Sequence, residues 1–446
     1  MFRNRFPLIF IFAACLFLSF SPLFSQAAHA ESVSADSESI SAQSEPNSSQ
    51  SEPVSAQPVI TEIKITGLKK TKPAYMQQVL EKYKGVPITQ IDLDEVETTL
   101  QAEGLFSESE AEITRNENGE LILSVTVTEK ISFIPLPFLS YSSSTGFMGG
   151  LMLMDTNAFG VKDQYIVGGI FSGSMQMGVM SFSKPSLSRT KPGFSINGSF
   201  MHRDNTFQDT DEKTFLEYEN IGASATFSIT DKITEHASVN AGIRYNYMNI
   251  SYEDEYAAYE NELETYHAIS LLGGWGIKYP VLNEWFLSTK SARLNGELIF
   301  LTSGKKSWSL SGQIVIQQQL PLPRFRLLAQ GSVLYTHDLQ ISQWQTQNAI
   351  GTTILPAKFH APQLAGSTLG LEIGVLKTKV ATISVYGQYE LAMAKDRTDE
   401  RTLSQGYSAG AKMYLSKIAF PAMAFGLSHN VTKQKAKFSV AFGMGF

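Results

Sequence analysis

Ser199, His202 and Asp204 are the residues of this chain whose types could form a hydrolytic triad. A histidine that a carboxylate orients can activate a serine hydroxyl for acyl transfer. The surrounding residues alternate as in a β-strand, in which successive side chains point to opposite faces. Ser199 and His202 would then lie on opposite faces, so the sequence predicts no catalytic site here and no enzyme.

A metal or cofactor site has no better support in the sequence than the hydrolytic triad has. Acidic residues between 92 and 97 open a predicted helix, where the helix dipole accounts for them without a calcium ion. The chain has a single cysteine, Cys15, which leaves no disulfide framework and no thiolate site. The histidines after His202 stand singly, at His236, His267, His337, His360 and His429. We therefore expect no metal and no cofactor.

The last ten residues indicate the kind of element that makes up most of the chain. Large apolar side chains alternate there with small or polar ones, and the chain stops on an aromatic residue. In a membrane strand the large set would face lipid and the small set a lumen, although a soluble antiparallel sheet has the same period. The predicted lipid-facing residues of this closing strand are Phe438, Val440, Phe442, Met444 and Phe446. The ending resembles that of outer-membrane barrels, in which the assembly machinery reads the terminal aromatic.

Residues 131–446 continue the same alternation in short pieces rich in Gly, Ser, Phe, Tyr and Met. Mean hydropathy is −0.08, and after the N-terminal region no apolar run reaches the roughly 18 residues of a spanning helix. About 16 alternating segments fit this length, so we predict a closed antiparallel transmembrane barrel of about 16 strands, with 14 as the alternative. The net charge of −6 argues against a nucleic-acid partner.

The first 57 residues divide into two parts. Arg3 and Arg5 precede an apolar run, and Ala28-His29-Ala30 supplies the small residues of a cleavage site, so residues 1–30 are predicted to be a signal peptide. A lipoprotein reading around Cys15 is disfavoured because the apolar run continues past it. Residues 31–57, rich in Ser, Glu and Pro, are predicted to be a disordered leader.

Residues 58–130 have the pattern of a compact α+β domain. A short strand ends at Gly67, Pro73 opens a helix, and a second helix runs from Asp92 to Gly104. Two further strands are joined through Asn118-Gly119. The predicted order is βααββ.

This arrangement resembles the outer-membrane assembly factors of the BamA and TamA kind, in which periplasmic POTRA domains precede a sixteen-stranded barrel. Short pieces carry the resemblance in the same order along the chain: Ile63–Gly67, Gly104–Phe106, Val125–Lys130, Asp155–Gly160, Ser181–Pro185 and Tyr407–Phe446. The resemblance implies a bacterial outer-membrane protein with its POTRA domain in the periplasm. The partners it implies are outer-membrane lipids, unfolded or client polypeptides and other periplasmic assembly proteins.

Two candidate sites follow from the resemblance. In the family the first barrel strand forms a weak seam with the last, and Gly146, Gly149 and Gly150 are assigned to that first strand, with close packing at a curved seam as the alternative reading. The POTRA sheet would offer an edge strand to an extended polypeptide by β-augmentation. The residues of this candidate edge are Glu110, Ala111, Glu112, Ile113, Thr114 and Arg115.

One departure from the family bears on function. The family carries an Arg-Gly-aromatic motif on a loop that enters the lumen, where the Arg meets an acidic residue of a following strand. This chain has no Arg between Leu327 and Lys395, and Tyr386-Gly387-Gln388 is predicted to put an amide at the acidic position. We therefore predict that both halves of the ion pair are absent, because one buried charge without the other would be costly.

Two functions remain open at this point. The first is an assembly, insertion or translocation factor that works through POTRA β-augmentation and a weak seam, without a nucleotide. The alternative is a passive outer-membrane channel or structural barrel that has lost the insertase motif.

Overall fold

The computed structural model describes residues 58–186, 191–282, 285–378, 381–395, 400–415 and 421–442. The predicted signal peptide and leader, and the predicted closing-strand residues Met444 and Phe446, lie outside the described residues. Among the described residues, no helix combines the length and apolar character needed to cross a membrane.

The N-terminal elements have the order that the sequence predicts, with two short 3₁₀ turns between the helices. They are β1 Ile60–Thr66, α1 Pro73–Leu80, α2 Leu93–Ala102, β2 Phe106–Arg115 and β3 Leu121–Glu129. The strands form a three-stranded sheet in the order β1-β3-β2. Strand β3 lies in the centre, parallel to β1 and antiparallel to β2.

Both helices bury one apolar face against this sheet. Met76 and Leu80 of α1 and Leu100 of α2 are fully buried. They belong to a single core with Leu123 and Val125 of β3. Pro73 can open α1 because the first turn of a helix leaves its N–H groups without partners inside the helix.

We expect residues 58–130 to fold as an isolated fragment, because this core draws its buried side chains almost wholly from the three strands and two helices. Circular dichroism of the fragment should show a cooperative thermal transition. Leu123→Ala removes a fully buried side chain and should lower the free energy of unfolding by about 2–5 kcal/mol. An unfolded spectrum for the unsubstituted fragment would contradict the domain boundary at residue 130.

The described residues after residue 130 form a closed barrel of sixteen strands, each antiparallel to its neighbours. Sixteen is the strand number that the sequence favours, and the alternative of fourteen is wrong. The strands are β4 Phe133–Ser142, β5 Gly146–Asp155, β6 Gln164–Ser172, β7 Met175–Lys184, β8 Gly193–Gln208, β9 Thr214–Lys232, β10 Ala237–Ser251, β11 Tyr266–Leu282, β12 Leu287–Leu301, β13 Lys306–Gln319, β14 Phe325–His337, β15 Gln363–Lys377, β16 Ala381–Lys395, β17 Arg401–Leu415, β18 Pro421–Asn430 and β19 Lys435–Phe442.

The two faces of the barrel wall differ in chemistry. Large apolar side chains such as Phe200, Leu271 and Leu369 are exposed on the outer face. The inner face pairs polar side chains across neighbouring strands, for example Ser195 with Ser228, whose hydroxyl oxygens are 2.7 Å apart. An apolar exterior with a polar interior is the pattern of a transmembrane barrel.

Candidate functional site

The barrel closes at a seam between β4 and β19. Among the described residues the two strands pair over four positions, from Ser142 opposite Ser439 to Leu139 opposite Phe442. The described pairing ends at Phe442 because Phe442 is the last described residue of β19.

Contacts at one end of the seam hold it together. The Ser143 backbone N–H donates to the Phe438 carbonyl over 3.0 Å, and the Phe438 N–H donates to the Ser143 hydroxyl oxygen over 3.2 Å. The rings of Tyr141 and Phe438 lie 5.5 Å apart across the seam. On β19, Phe438, Val440 and Phe442 are 37%, 36% and 43% exposed, as outward-facing residues of a membrane strand would be.

The assignment of Gly146, Gly149 and Gly150 to the first barrel strand is wrong. These glycines lie on β5, the second strand, which pairs with β4 and β6 and not with β19. A Cβ atom at Gly150 would come within 2.4 Å of the Phe138 ring and 2.2 Å of the Gly169 carbonyl oxygen. Close packing of an aromatic ring against bare backbone therefore accounts for Gly150.

Strand β4 carries two prolines. They interrupt the alternating residue pattern that would predict a strand, and they also change the hydrogen-bonding groups that face the seam. The Ser143 N–H points to β19, whereas the Ser132 carbonyl accepts from Thr156 next to β5. Main-chain groups alternate in direction along a strand, so the odd-numbered residues of β4 face the seam. Pro135 and Pro137 are odd-numbered and have no N–H to donate. They cost nothing in the pairing with β5, but they remove two donors from the seam edge.

The segment between β14 and β15, residues 338–362, folds into the barrel, and we call it the lumen loop. Its apolar side chains form a buried cluster with residues of β14, β15 and β16. The members of the cluster are Leu334, Ile350, Ile354, Leu355, Phe359, Ala361, Leu364, Ala392 and Ala394. The wall accommodates the loop closely, since a Cβ at Gly406 of β17 would lie 2.7 Å from Ile354.

Glu390 of β16 anchors the lumen loop. Its carboxylate is fully buried and accepts hydrogen bonds from the Thr353 backbone N–H over 2.7 Å and from the Thr353 hydroxyl over 3.1 Å. The Ser408 hydroxyl and the Gln388 amide donate to the same carboxylate. The loop therefore bonds to a carboxylate, whereas the sequence predicts an amide, Gln388, at the acidic position. An acidic residue lies two positions beyond Gln388, and the loop offers it a backbone N–H and a hydroxyl.

The lumen loop is also tied to the last two strands. The Asn430 side-chain amide of β18 donates to the Ile354 carbonyl over 2.8 Å. The Lys437 ammonium of β19 donates to the carbonyls of Leu355 and Thr353. Because β19 also forms the seam, the loop and the seam share a strand.

A second buried polar group lies at the opposite end of the lumen. Arg326 of β14 and Glu372 of β15 are 4% and 0% exposed, and the guanidinium donates to the carboxylate over 2.7 and 2.9 Å. The hydroxyls of Ser384 and Tyr414 also donate to Glu372. Arg326 stands one residue before the arginine-free stretch of the sequence, so an ion pair that sequence reasoning missed is present in the lumen.

The first turn after β5 joins the α+β unit to the barrel. Lys70 pairs with Asp155 over 2.6 Å, Lys162 pairs with Glu103 over 3.0 Å, and the Asn157 amide donates to the Thr71 hydroxyl over 2.9 Å. Burial works against the charged form of Glu129, but the backbone N–H groups of Lys70 and Thr71 outweigh it and hold the pKa of Glu129 below its usual range.

Strand β2, which carries the predicted edge residues Glu110 to Arg115, lies at one edge of the three-stranded sheet. The Ala111 N–H donates to the Glu97 carboxylate of α2 over 3.1 Å. A polypeptide that added to this edge would have to displace Glu97 at that position. Its use as a binding edge stays a prediction.

The described residues thus form a closed sixteen-stranded barrel with a seam between its first and last strands, a loop anchored in its lumen and an α+β unit on its N-terminal side. Residues 157–349 match the model of the Omp85 superfamily domain. The family resemblance predicted from the sequence is confirmed by this match over these residues.

Solved structures with the same fold include BamA from Haemophilus ducreyi lacking POTRA domains 1–3, with a TM-score of 0.61, 13% identity and coverage of 87% of this chain and 85% of that chain. CdiB from Acinetobacter baumannii gives a TM-score of 0.59 and CdiB from Escherichia coli 0.61, both at 12% identity and 87% coverage of this chain, with 74% and 77% of those chains covered. Comparison with curated proteins gives no significant match.

Proposed function

We propose that this chain is a non-enzymatic factor of the bacterial outer membrane that assembles, inserts or translocates client polypeptides without a nucleotide. The observation that carries the proposal is the edge of β4 that faces β19, where Pro135 and Pro137 have no N–H to donate. A barrel wall that must only stay closed gains nothing from these two missing donors.

The physical argument concerns the energy of opening the seam. Each main-chain hydrogen bond contributes about 0.5–1.5 kcal/mol net, and an unpaired strand edge is a template for another strand. At Pro137 and Pro135 the edge of β4 that faces the seam offers carbonyls but no N–H. A client strand can therefore compete with β19 for this half of β4 on favourable terms.

The α+β unit would act as a POTRA-type domain in the periplasm. Its βααββ order, its three-stranded sheet with β2 at an edge, and its contacts to the first turn after β5 support that role. Extended segments of client polypeptides, or of other periplasmic assembly proteins, would pair with the Glu110–Arg115 edge by β-augmentation.

The alternative, a passive channel, is disfavoured by the lumen loop. The loop contacts wall strands on both sides of the barrel: it bonds Glu390 on β16, and the His360 ring stacks on Phe207 of β8 at 3.9 Å. Above it, Lys433 pairs with Asp211 and Lys435 with Glu212, which links the β18–β19 turn to the β8–β9 turn.

Replacing both prolines by alanine tests the proposed role of the seam. The variant Pro135→Ala/Pro137→Ala restores two donors and should stabilise the seam by about 1–3 kcal/mol. Insertion of a client barrel into proteoliposomes should slow several-fold, while the heat-modifiable folded band of the variant itself is unchanged. Pro280→Ala, which restores a donor in β11 away from the seam, is the matched control and should insert clients at the original rate. Equal client insertion by the double variant and the control would count against the proposal.

A further inference from the structure

Three potential metal ligands meet on the outer face of the barrel, at the extracellular end of β8 and β9. They are the imidazole of His202, the carboxylate of Asp204 and the carboxylate of Glu219. One ligand atom from each lies within 4.8 Å of the other two. His202 Nε2 and Glu219 Oε1 are 2.6 Å apart. We call these three residues the β8–β9 triad.

The strand register forces the two carboxylates together. Asp204 and Glu219 are direct partners in the β8–β9 pairing. The Asp204 N–H donates to the Ser174 carbonyl on the far side of β8, so the pair with Glu219 is of the kind without main-chain hydrogen bonds. In such pairs the Cα atoms are about 4.5 Å apart and the side chains are at their closest. Like charges in this position repel and destabilise the sheet.

The hydrogen-bond partners of the triad compensate that repulsion only in part. His202 pairs with Glu219, with side chains 39% and 49% exposed. Among the ion pairs found for the described residues, none includes Asp204. A bound divalent cation would neutralise both carboxylates at once.

The triad stands at the water side of the apolar belt. On the outer face of β8, the exposed side chains of Ile196 and Phe200 precede the triad. On β9, Ile221 is the next outward-facing residue after Glu219. Charged side chains on the outer face are tolerated beyond the lipid core, where water reaches them. An ion from the medium can therefore enter without crossing lipid.

We propose that the β8–β9 triad binds a divalent first-row transition ion, with Zn²⁺ as the occupant. One imidazole nitrogen and two carboxylate oxygens are ligands that Zn²⁺ accepts, and water would complete a tetrahedral site. His202 Nε2 would exchange its hydrogen bond to Glu219 for a bond to the metal, which requires the neutral imidazole. The ion would pin β8 to β9 beside the turn at residues 209–213.

No local pattern in the sequence indicates this site, because Glu219 is fifteen positions from Asp204 and only the strand register brings the two together.

Titration of the purified full-length chain in detergent with zinc chloride tests the proposal. We expect one saturable Zn²⁺ site by isothermal titration calorimetry and a higher unfolding midpoint with Zn²⁺ present. His202→Ala, and the isosteric Asp204→Asn, should each weaken Zn²⁺ binding at least about tenfold. His267→Ala, which removes a different histidine near the extracellular end, is the control and should bind Zn²⁺ as the original chain does.

Several outcomes would overturn the zinc site. They are the absence of saturable Zn²⁺ binding, unchanged binding in His202→Ala, or equal loss of binding in the His267→Ala control. Titration with calcium or magnesium chloride separates a carboxylate-only site from the triad. A response to Ca²⁺ or Mg²⁺ as strong as the response to Zn²⁺, and retained in His202→Ala, would show that the imidazole is not a ligand. The zinc site is independent of the proposed assembly function, since neither the seam nor the lumen loop contributes a ligand.

Discussion

A disulfide between Ser140→Cys and Ala441→Cys should abolish insertion of client barrels while leaving this barrel folded. Ser140 and Ala441 are direct partners across the seam, and even-numbered residues of β4 turn their main-chain groups away from β19. Such partners have Cα atoms about 4.5 Å apart, and a disulfide spans Cα separations of about 4.4–6.8 Å. The cross-link therefore fits the observed geometry, and it fixes the strand that a client must replace.

The experiment is made in a Cys15→Ser background, so that the introduced pair can form only one bond. Oxidation should block client insertion into proteoliposomes, and reduction should restore it. The control pair, Ser195→Cys/Ser228→Cys, joins two inward-facing partners in the continuous wall between β8 and β9, whose hydroxyls already lie 2.7 Å apart. Its oxidation should leave insertion unchanged. Full insertion by the chain with a completely formed seam disulfide would reject the insertase proposal and favour a channel or scaffold.

The overall architecture could be predicted because it depends on short-range patterns. The alternation at Phe438, Val440 and Phe442 reports a strand with one apolar face wherever that strand lies in the sheet. Pro73 and Gly104 mark helix ends by local backbone chemistry. Each of these signals is complete within a few residues of the chain.

The first barrel strand, β4, could not be predicted because of its two prolines, which also determine the donors at the seam. Pro135 and Pro137 interrupt the residue pattern of a strand, and proline is compatible with pairing only where its missing N–H faces an edge. Which edge it faces depends on the register with β5 and β19, which no local pattern contains. The local pattern therefore favours the glycine-rich segment on β5 as the seam strand.

The lumen site could not be predicted for a related reason. Glu390, Thr353 and Lys437 come from three distant parts of the chain and meet only because the loop folds inside the closed wall. Their chemistry also differs from the arginine and acid of the family motif. A search for that motif finds neither the acid at Glu390 nor the backbone N–H that bonds to it.

Glu390→Ala should release the lumen loop. The substitution removes the acceptor of two hydrogen bonds from Thr353 and one each from Ser408 and Gln388, and leaves these donors in a buried site. Each unsatisfied buried donor costs about 1–3 kcal/mol, so we expect a loss of roughly 3–5 kcal/mol in the free energy of unfolding, the range for breaking a buried charged network. The loop should become open to proteases that cleave after Lys358.

Glu390→Gln is the matched control for the lumen loop, because it keeps the side-chain volume and one carbonyl acceptor for the Thr353 N–H. It should retain most of the protection from proteases and unfold between the original chain and Glu390→Ala. Because Lys437 links the loop to β19, release of the loop should also raise hydrogen exchange in β19, which mass spectrometry can follow. If Glu390→Ala keeps the original protease resistance and the original exchange in β19, the carboxylate is not the anchor of the loop, and the loop is held by its apolar cluster alone.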